Sequence, residues 1–135
     1  MENSKEAHVA INSAADIVTA RLKGRTMAME LGFDGAELTL IATAISEVAR
    51  NIVDHAKLGE IVLTPANQSN KRGIVITARD EGPGIADVAK AMEYGYSTRK
   101  GLGVGLPGAK WLMDEFDIAT QVGKGTTVTM KKWLE

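Results

Sequence analysis

Apolar residues recur at steps of three and four through Leu38, Ile41, Ile45, Val48 and Ile52, the buried stripe of an amphipathic helix. Phe33, Asp34, Glu37 and Leu38 give this helix a start signal: Asp34 as N-cap, Glu37 three residues on, and Phe33 packing against Leu38 as a hydrophobic staple. It should end near residues 57–59. An earlier helix is expected after Ser13, with Asp16 near its positive end. Its apolar positions are Ile17, Ala20, Met27, Ala28 and Leu31, Gly24 interrupts it, and Gly32 is its stop. A short alternating run, residues 8–11, precedes it.

The period then changes to two. Ile61 and Leu63, and then Ile74, Ile76 and Ala78, predict two strands joined by a loose polar loop over residues 67–73. A short helix fits residues 87–94, and another starts near Leu106, with Pro107 in its first turn, and runs to about Asp114. Residues 116–122 and 127–133 read as two strands turned by Gly123, Lys124 and Gly125. Strands paired by tight turns predict an α/β (α+β) two-layer sandwich: a mixed, mostly antiparallel sheet with the helices on one face. Without repeats or linkers, residues 1–135 are expected to form one domain.

A polar stripe runs beside the apolar one. Glu47, Asn51 and His55 are four apart and leave nearly the same face of the helix. Burying such groups unpaired costs about 1–3 kcal/mol each, so they are either solvated or have a partner. The carbonyl oxygen of Asn51 suits a hard cation such as magnesium, and Glu47 one turn earlier suits proton abstraction from a hydroxyl. On the helix alone, a solvated face is the better explanation of the stripe.

Asp80-x-Gly82-x-Gly84, directly after a strand, admits two readings. It is a turn, or it lets a flat ligand approach the backbone while Asp80 accepts a hydrogen bond from an exocyclic amine such as that of adenine. Gly101, Gly103 and Gly105 before a helix start supply backbone amides for an anion such as phosphate. Gly103-x-Gly105-x-x-Gly108 matches the dinucleotide fingerprint, but no strand leads into it and a proline occupies its middle; a Walker lysine motif is absent. Ser97-x-x-Lys100 matches the penicillin-binding serine motif without its companions.

Composition narrows the classes further. Sixteen basic and seventeen acidic residues leave the chain almost neutral, which argues against bulk nucleic-acid binding. The absence of cysteine excludes thiol catalysis and disulfides, and two histidines without partners at ligand spacing argue against a transition-metal site. No signal segment or membrane-length apolar run is visible, so the expected location is cytoplasmic, with neither membrane nor nucleic acid as partner.

Glu47-x-x-x-Asn51, Asp80-x-Gly82-x-Gly84, the glycines at 101, 103 and 105, and Gly125-Thr126-Thr127 occur together in this order. Jointly they resemble the four motifs of the GHKL ATP-binding superfamily, over about residues 7–133, which implies the Bergerat fold. Residues 46–52, 80–85, 101–108 and 112–118 are similar, more narrowly, to the switch serine/threonine kinases of the bacterial stressosome. The resemblance implies ATP and Mg2+ as cofactors, Glu47 as catalytic base and Asn51 as magnesium ligand. Asp80 would contact adenine, with Gly82, the close-approach Gly84 and Thr127 beside it. Residues 95–103 would form a lid over the triphosphate, with Arg99 or Lys100 near the gamma-phosphate and Gly101, Gly103, Val104, Gly105 and Leu106 along the phosphates. It further implies STAS-domain scaffold proteins as substrates and a PP2C-type phosphatase as a second partner. An anti-sigma factor kinase, a GHKL ATPase without a protein acceptor and a binding-only module are the alternatives.

Overall fold

The computed structural model describes residues 6–56, 58–84, 92 and 105–134. Eight elements follow in order: β1 (Ala7–Ile11), α1 (Ala14–Leu31), α2 (Gly35–His55), β2 (Gly59–Gln68), β3 (Lys71–Asp80), α3 (Gly105–Leu112), β4 (Glu115–Gln121) and β5 (Gly125–Trp133). The strands form one sheet in the order β1-β2-β3-β5-β4, and every pairing in it is antiparallel. The helix expected at residues 87–94 lies outside the described residues, Met92 apart.

Each helix begins where its polar residues satisfy the first amides. Asp16 folds back to accept the N–H of Asn12 at 2.8 Å and of Ser13 at 3.1 Å. The Asp34 side chain accepts the N–H of Glu37 at 2.9 Å, and Phe33 and Leu38 beside it are both buried. Gly32 ends α1 in the left-handed conformation, its N–H reaching the carbonyls of Ala28 and Met29.

The β2–β3 hairpin is longer and tighter than the hydrophobic pattern suggests. Both strands continue through polar residues to Gln68 and Lys71, and the turn is only Ser69–Asn70, both at positive φ. Two left-handed residues match the twist of paired strands, so the polar segment pairs instead of looping. Among the described residues β1 pairs with β2 only as far as Leu63, so Pro65 lacks only a donor toward that edge and pairs on its other side with Ile74 of β3.

Alternation sends one face of the sheet to the helices. Ile61, Leu63, Ile74, Ile76, Ala78, Val128 and Met130 are all at most 4% exposed and pack with Ile41, Ile45, Val48 and Ile52 of α2. The cross-strand pairs Ile76↔Met130 and Ala78↔Val128 step along this inward face, and the next pair is Asp80↔Thr126. The core therefore grades directly into a polar site. At the opposite edge, on β1, His8 stands between two carboxylates, 2.9 Å from Glu6 and 2.8 Å from Glu60, and Arg79 donates to Glu60 at 3.1 Å. The two carboxylates raise the imidazole pKa, Glu60 foremost, and His8 in turn holds Glu60 below its ordinary value.

Candidate functional site

Burial singles out Glu47. Among the described residues it is the one charged side chain in the buried class, at 7% exposure. Its Oε1 accepts the backbone N–H of Gly105 at 2.9 Å. Gly105 opens α3 at φ +71, a left-handed conformation that a side chain would strain, and its amide is one of those that a helix N-terminus leaves unpaired. The second oxygen of Glu47, Oε2, has no protein partner among the described residues. One turn further on, Asn51 is half-buried and its side-chain amide likewise makes no hydrogen bond among them. His55, another turn on, is exposed.

Asp80 closes the other side of the site from the end of β3. Its Oδ1 accepts the N–H of Gly82 at 2.9 Å and of Thr126, its cross-strand partner, at 3.3 Å. Oδ2 has no protein partner among the described residues, so one oxygen is anchored by backbone and the other remains an acceptor. Thr126 is 5% exposed and its hydroxyl lies 2.9 Å from that of Thr120.

Gly82 and Gly84 are needed first by the protein itself. A Cβ on Gly82 would collide with Ala56 at the end of α2, and one on Gly84, at φ +78, with the carbonyl of Gln121. The intervening Pro83 carbonyl accepts the N–H of Gly123 at 2.8 Å. The Asp80–Gly84 loop is thus strapped to the β4–β5 turn, which fixes the direction of the Asp80 carboxylate.

Of the residues singled out in the sequence, Glu47, Gly105 and Leu106 gather around the start of α3, with Asn51 a turn along α2. Asp80, Gly82 and Gly84 gather at the end of β3. Arg99, Lys100, Gly101, Gly103 and Val104 lie outside the described residues. Thr127 is placed differently from the expectation. It pairs with Arg79, and the period of two turns it to the face away from Asp80, whereas its neighbour Thr126 stands on the Asp80 face. Thr126 and the Glu47–Gly105 bond were missed. The parity of the buried positions Thr126, Val128 and Met130 carried the first; the second joins residues 58 apart, which no local pattern reveals.

The family described as "Histidine kinase-like ATPase domain" matches residues 11–132. The chain belongs to this family. Among curated proteins it is 49% identical over 126 residues to the serine/threonine-protein kinase RsbT of Bacillus subtilis, covering 93% of this chain and 95% of that one. To the anti-sigma F factor of Caldanaerobacter subterraneus it is 38% identical over 104 residues, 73% of this chain and 71% of that protein. The crystal structure of the RsbU and RsbW domains of Rv1364c from Mycobacterium tuberculosis has the same fold, with a TM-score of 0.67 at 22% identity, over 97% of this chain and 33% of that longer one. As a histidine kinase-like ATPase domain, the chain is built for ATP; one of these curated relatives is named a serine/threonine-protein kinase and the other an anti-sigma factor. No described helix is long and apolar enough to cross a membrane.

Proposed function

We propose that the chain is a cytoplasmic, single-domain serine/threonine-protein kinase that transfers the gamma-phosphoryl group of Mg-ATP to a serine or threonine of a STAS-domain stressosome protein. Having done so, it binds and activates a PP2C-type phosphatase. The observation that carries this reading is the placement of Glu47: buried, anchored through Oε1 at the start of α3, with Oε2, and Asn51 one turn away, making no hydrogen bond among the described residues.

Asp80 Oδ2 accepts the exocyclic amine of adenine, with Thr126 beside it on the same face. The phosphates extend toward the α3 N-terminus, where Gly105 and Leu106 stand and the helix dipole favours anions. Among the described residues no cluster of three or more His, Cys, Asp or Glu could hold a metal. The side-chain oxygen of Asn51, without a partner among the described residues, would hold a magnesium ion as a single protein ligand, and such an ion would supply neutralisation of charge on the phosphates. Glu47 Oε2 accepts the proton of the acceptor hydroxyl as its oxygen bonds to the gamma-phosphorus, and the bond to the bridging oxygen breaks to release ADP.

A second reading is favoured by the anti-sigma F factor relatives: a kinase of the same architecture that also sequesters a sigma factor. Incubation with gamma-labelled ATP and candidate STAS, sigma and phosphatase partners tests both. Label on a protein hydroxyl, with loss of label in Glu47→Gln, is the expected result. Release of free phosphate alone would refute the kinase, and a stable sigma-factor complex would favour the second reading.

A further inference from the structure

A surface helix ordinarily has one apolar face. α1 has two. Its inner positions Ile17, Ala20, Gly24, Ala28 and Leu31 are buried against the core, with Gly24 seated directly on Ile45 of α2. On the outside, Val18, Leu22 and Met29 are 44%, 54% and 51% exposed. With Arg25 they follow steps of four, three and four, the seam by which one helix packs along another.

The seam is basic. Arg25 lies within it and Arg21 beside it, whereas Lys23 shares a farther flank with Asp16 and Glu30, seven residues to either side; none of the three cations makes an ion pair or hydrogen bond among the described residues. A cation inside an apolar seam selects its occupant, because desolvating it is costly unless an opposite charge faces it. A second copy of α1 would lay Arg25 and Arg21 against like charges.

We infer that the outer face of α1 is a docking seam for an acidic amphipathic helix of a partner protein. The partner's apolar edge would cover Val18, Leu22 and Met29, and its carboxylates would face Arg25 and Arg21. An 18-residue helix is about 27 Å long, so the seam alone makes a small, releasable interface of the kind that transient partners use. It lies on a different element from Glu47, Asn51 and Asp80, so docking and nucleotide binding are separable.

The probe is a labelled three-heptad peptide with Leu along its seam and Glu flanking it, and a twin with Lys in place of Glu. Each is titrated into the full chain and followed by fluorescence anisotropy, with the footprint read by amide hydrogen exchange. The Glu peptide should protect residues 18–29 and bind at least about tenfold more tightly than its Lys twin, a difference of about 1.4 kcal/mol. Leu22→Glu should abolish that preference, and Arg25→Glu should shift it toward the Lys peptide, with Mg-ATP affinity unchanged in both. Equal binding of the two peptides, no binding, or a footprint elsewhere would overturn the inference. So would sedimentation showing self-association that Leu22→Glu removes, since the occupant would then be a second copy. Loss of Mg-ATP binding by the unaltered chain would count against the proposed kinase and leave the peptide result to be judged on its own.

Discussion

Replacing Glu47 separates its two roles, because one oxygen is structural and the other makes no hydrogen bond among the described residues. In Glu47→Ala the N–H of Gly105 loses its acceptor in a buried place, which costs about 1–3 kcal/mol. For a chain of this length that is a fall in melting temperature of about 3–15 °C, taking about 3–5 °C per kcal/mol. A loss of activity in this variant would therefore mix chemistry with a displaced α3. Glu47→Gln keeps a carbonyl oxygen to accept from Gly105 and removes only the base. Its melting temperature should stay within about 3 °C of the parent, because only the charge assistance of one hydrogen bond is lost. Mg-ATP affinity should change by less than about threefold, while phosphoryl transfer falls by about 10² to 10⁴, the usual worth of a general base. Thermal unfolding, nucleotide titration and single-turnover transfer on the same preparations provide the comparison. Transfer at the parental rate in Glu47→Gln would remove Glu47 from the chemistry. Equal destabilisation by Gln and Ala would show that the Gly105 contact does not hold α3.

Asn51→Ala should abolish magnesium-dependent nucleotide binding while leaving the melting temperature nearly unchanged, since the side chain makes no hydrogen bond among the described residues; an unaltered titration would refute the assignment. Thr126→Val should weaken ATP binding severalfold and Thr127→Val should not, because alternation sets only the former on the Asp80 face; calorimetric titration of both variants decides. Gly125→Ala forces a side chain into a φ of +126 and against the Asp80 carbonyl, which should cost at least about 2 kcal/mol in chemical denaturation. His8→Asn should destabilise most near about pH 5–6. Stabilisation from the raised imidazole is full below about pH 6.5 and lost as pH rises through its folded pKa, whereas that from the lowered Glu60 is full above about pH 4.5 and lost as pH falls. Denaturation curves at several pH values should converge as pH rises through the folded pKa of His8.

Much of this architecture is written in short-range pattern. The stripe from Leu38 to Ile52 marks α2, Asp34 marks its start, and Pro107 marks the first turn of α3, because period and capping depend on residues a few places apart. Ser69 and Asn70 show where pattern fails: polarity suggested a loop, but their left-handed conformations close a two-residue turn and lengthen both strands. In the site, residue types were legible and partnerships were not. Asp80 could be named from its glycines, yet its bonds to Thr126 depend on the register of β3 against β5, and the anchor of Glu47 comes from a helix 58 positions away. The outer seam of α1 was hidden for a related reason, since an apolar residue in a helix does not announce which side the core lies on.

The sheet order has a consequence for the birth of the molecule. β5, the last strand in sequence, is not at the rim but wedged between β3 and β4. During vectorial synthesis β3 emerges with an open, Ile- and Val-rich margin and must wait about 45 residues for its neighbour, several seconds at ordinary elongation rates. Throughout that interval Asp80 has no Thr126 to anchor it, so the nascent chain is exposed to strand-seeking partners before the Asp80 side of the site is formed. A ribosome stalled before Gly125 would hold a helix-backed half-sheet, adhesive and without catalytic capacity.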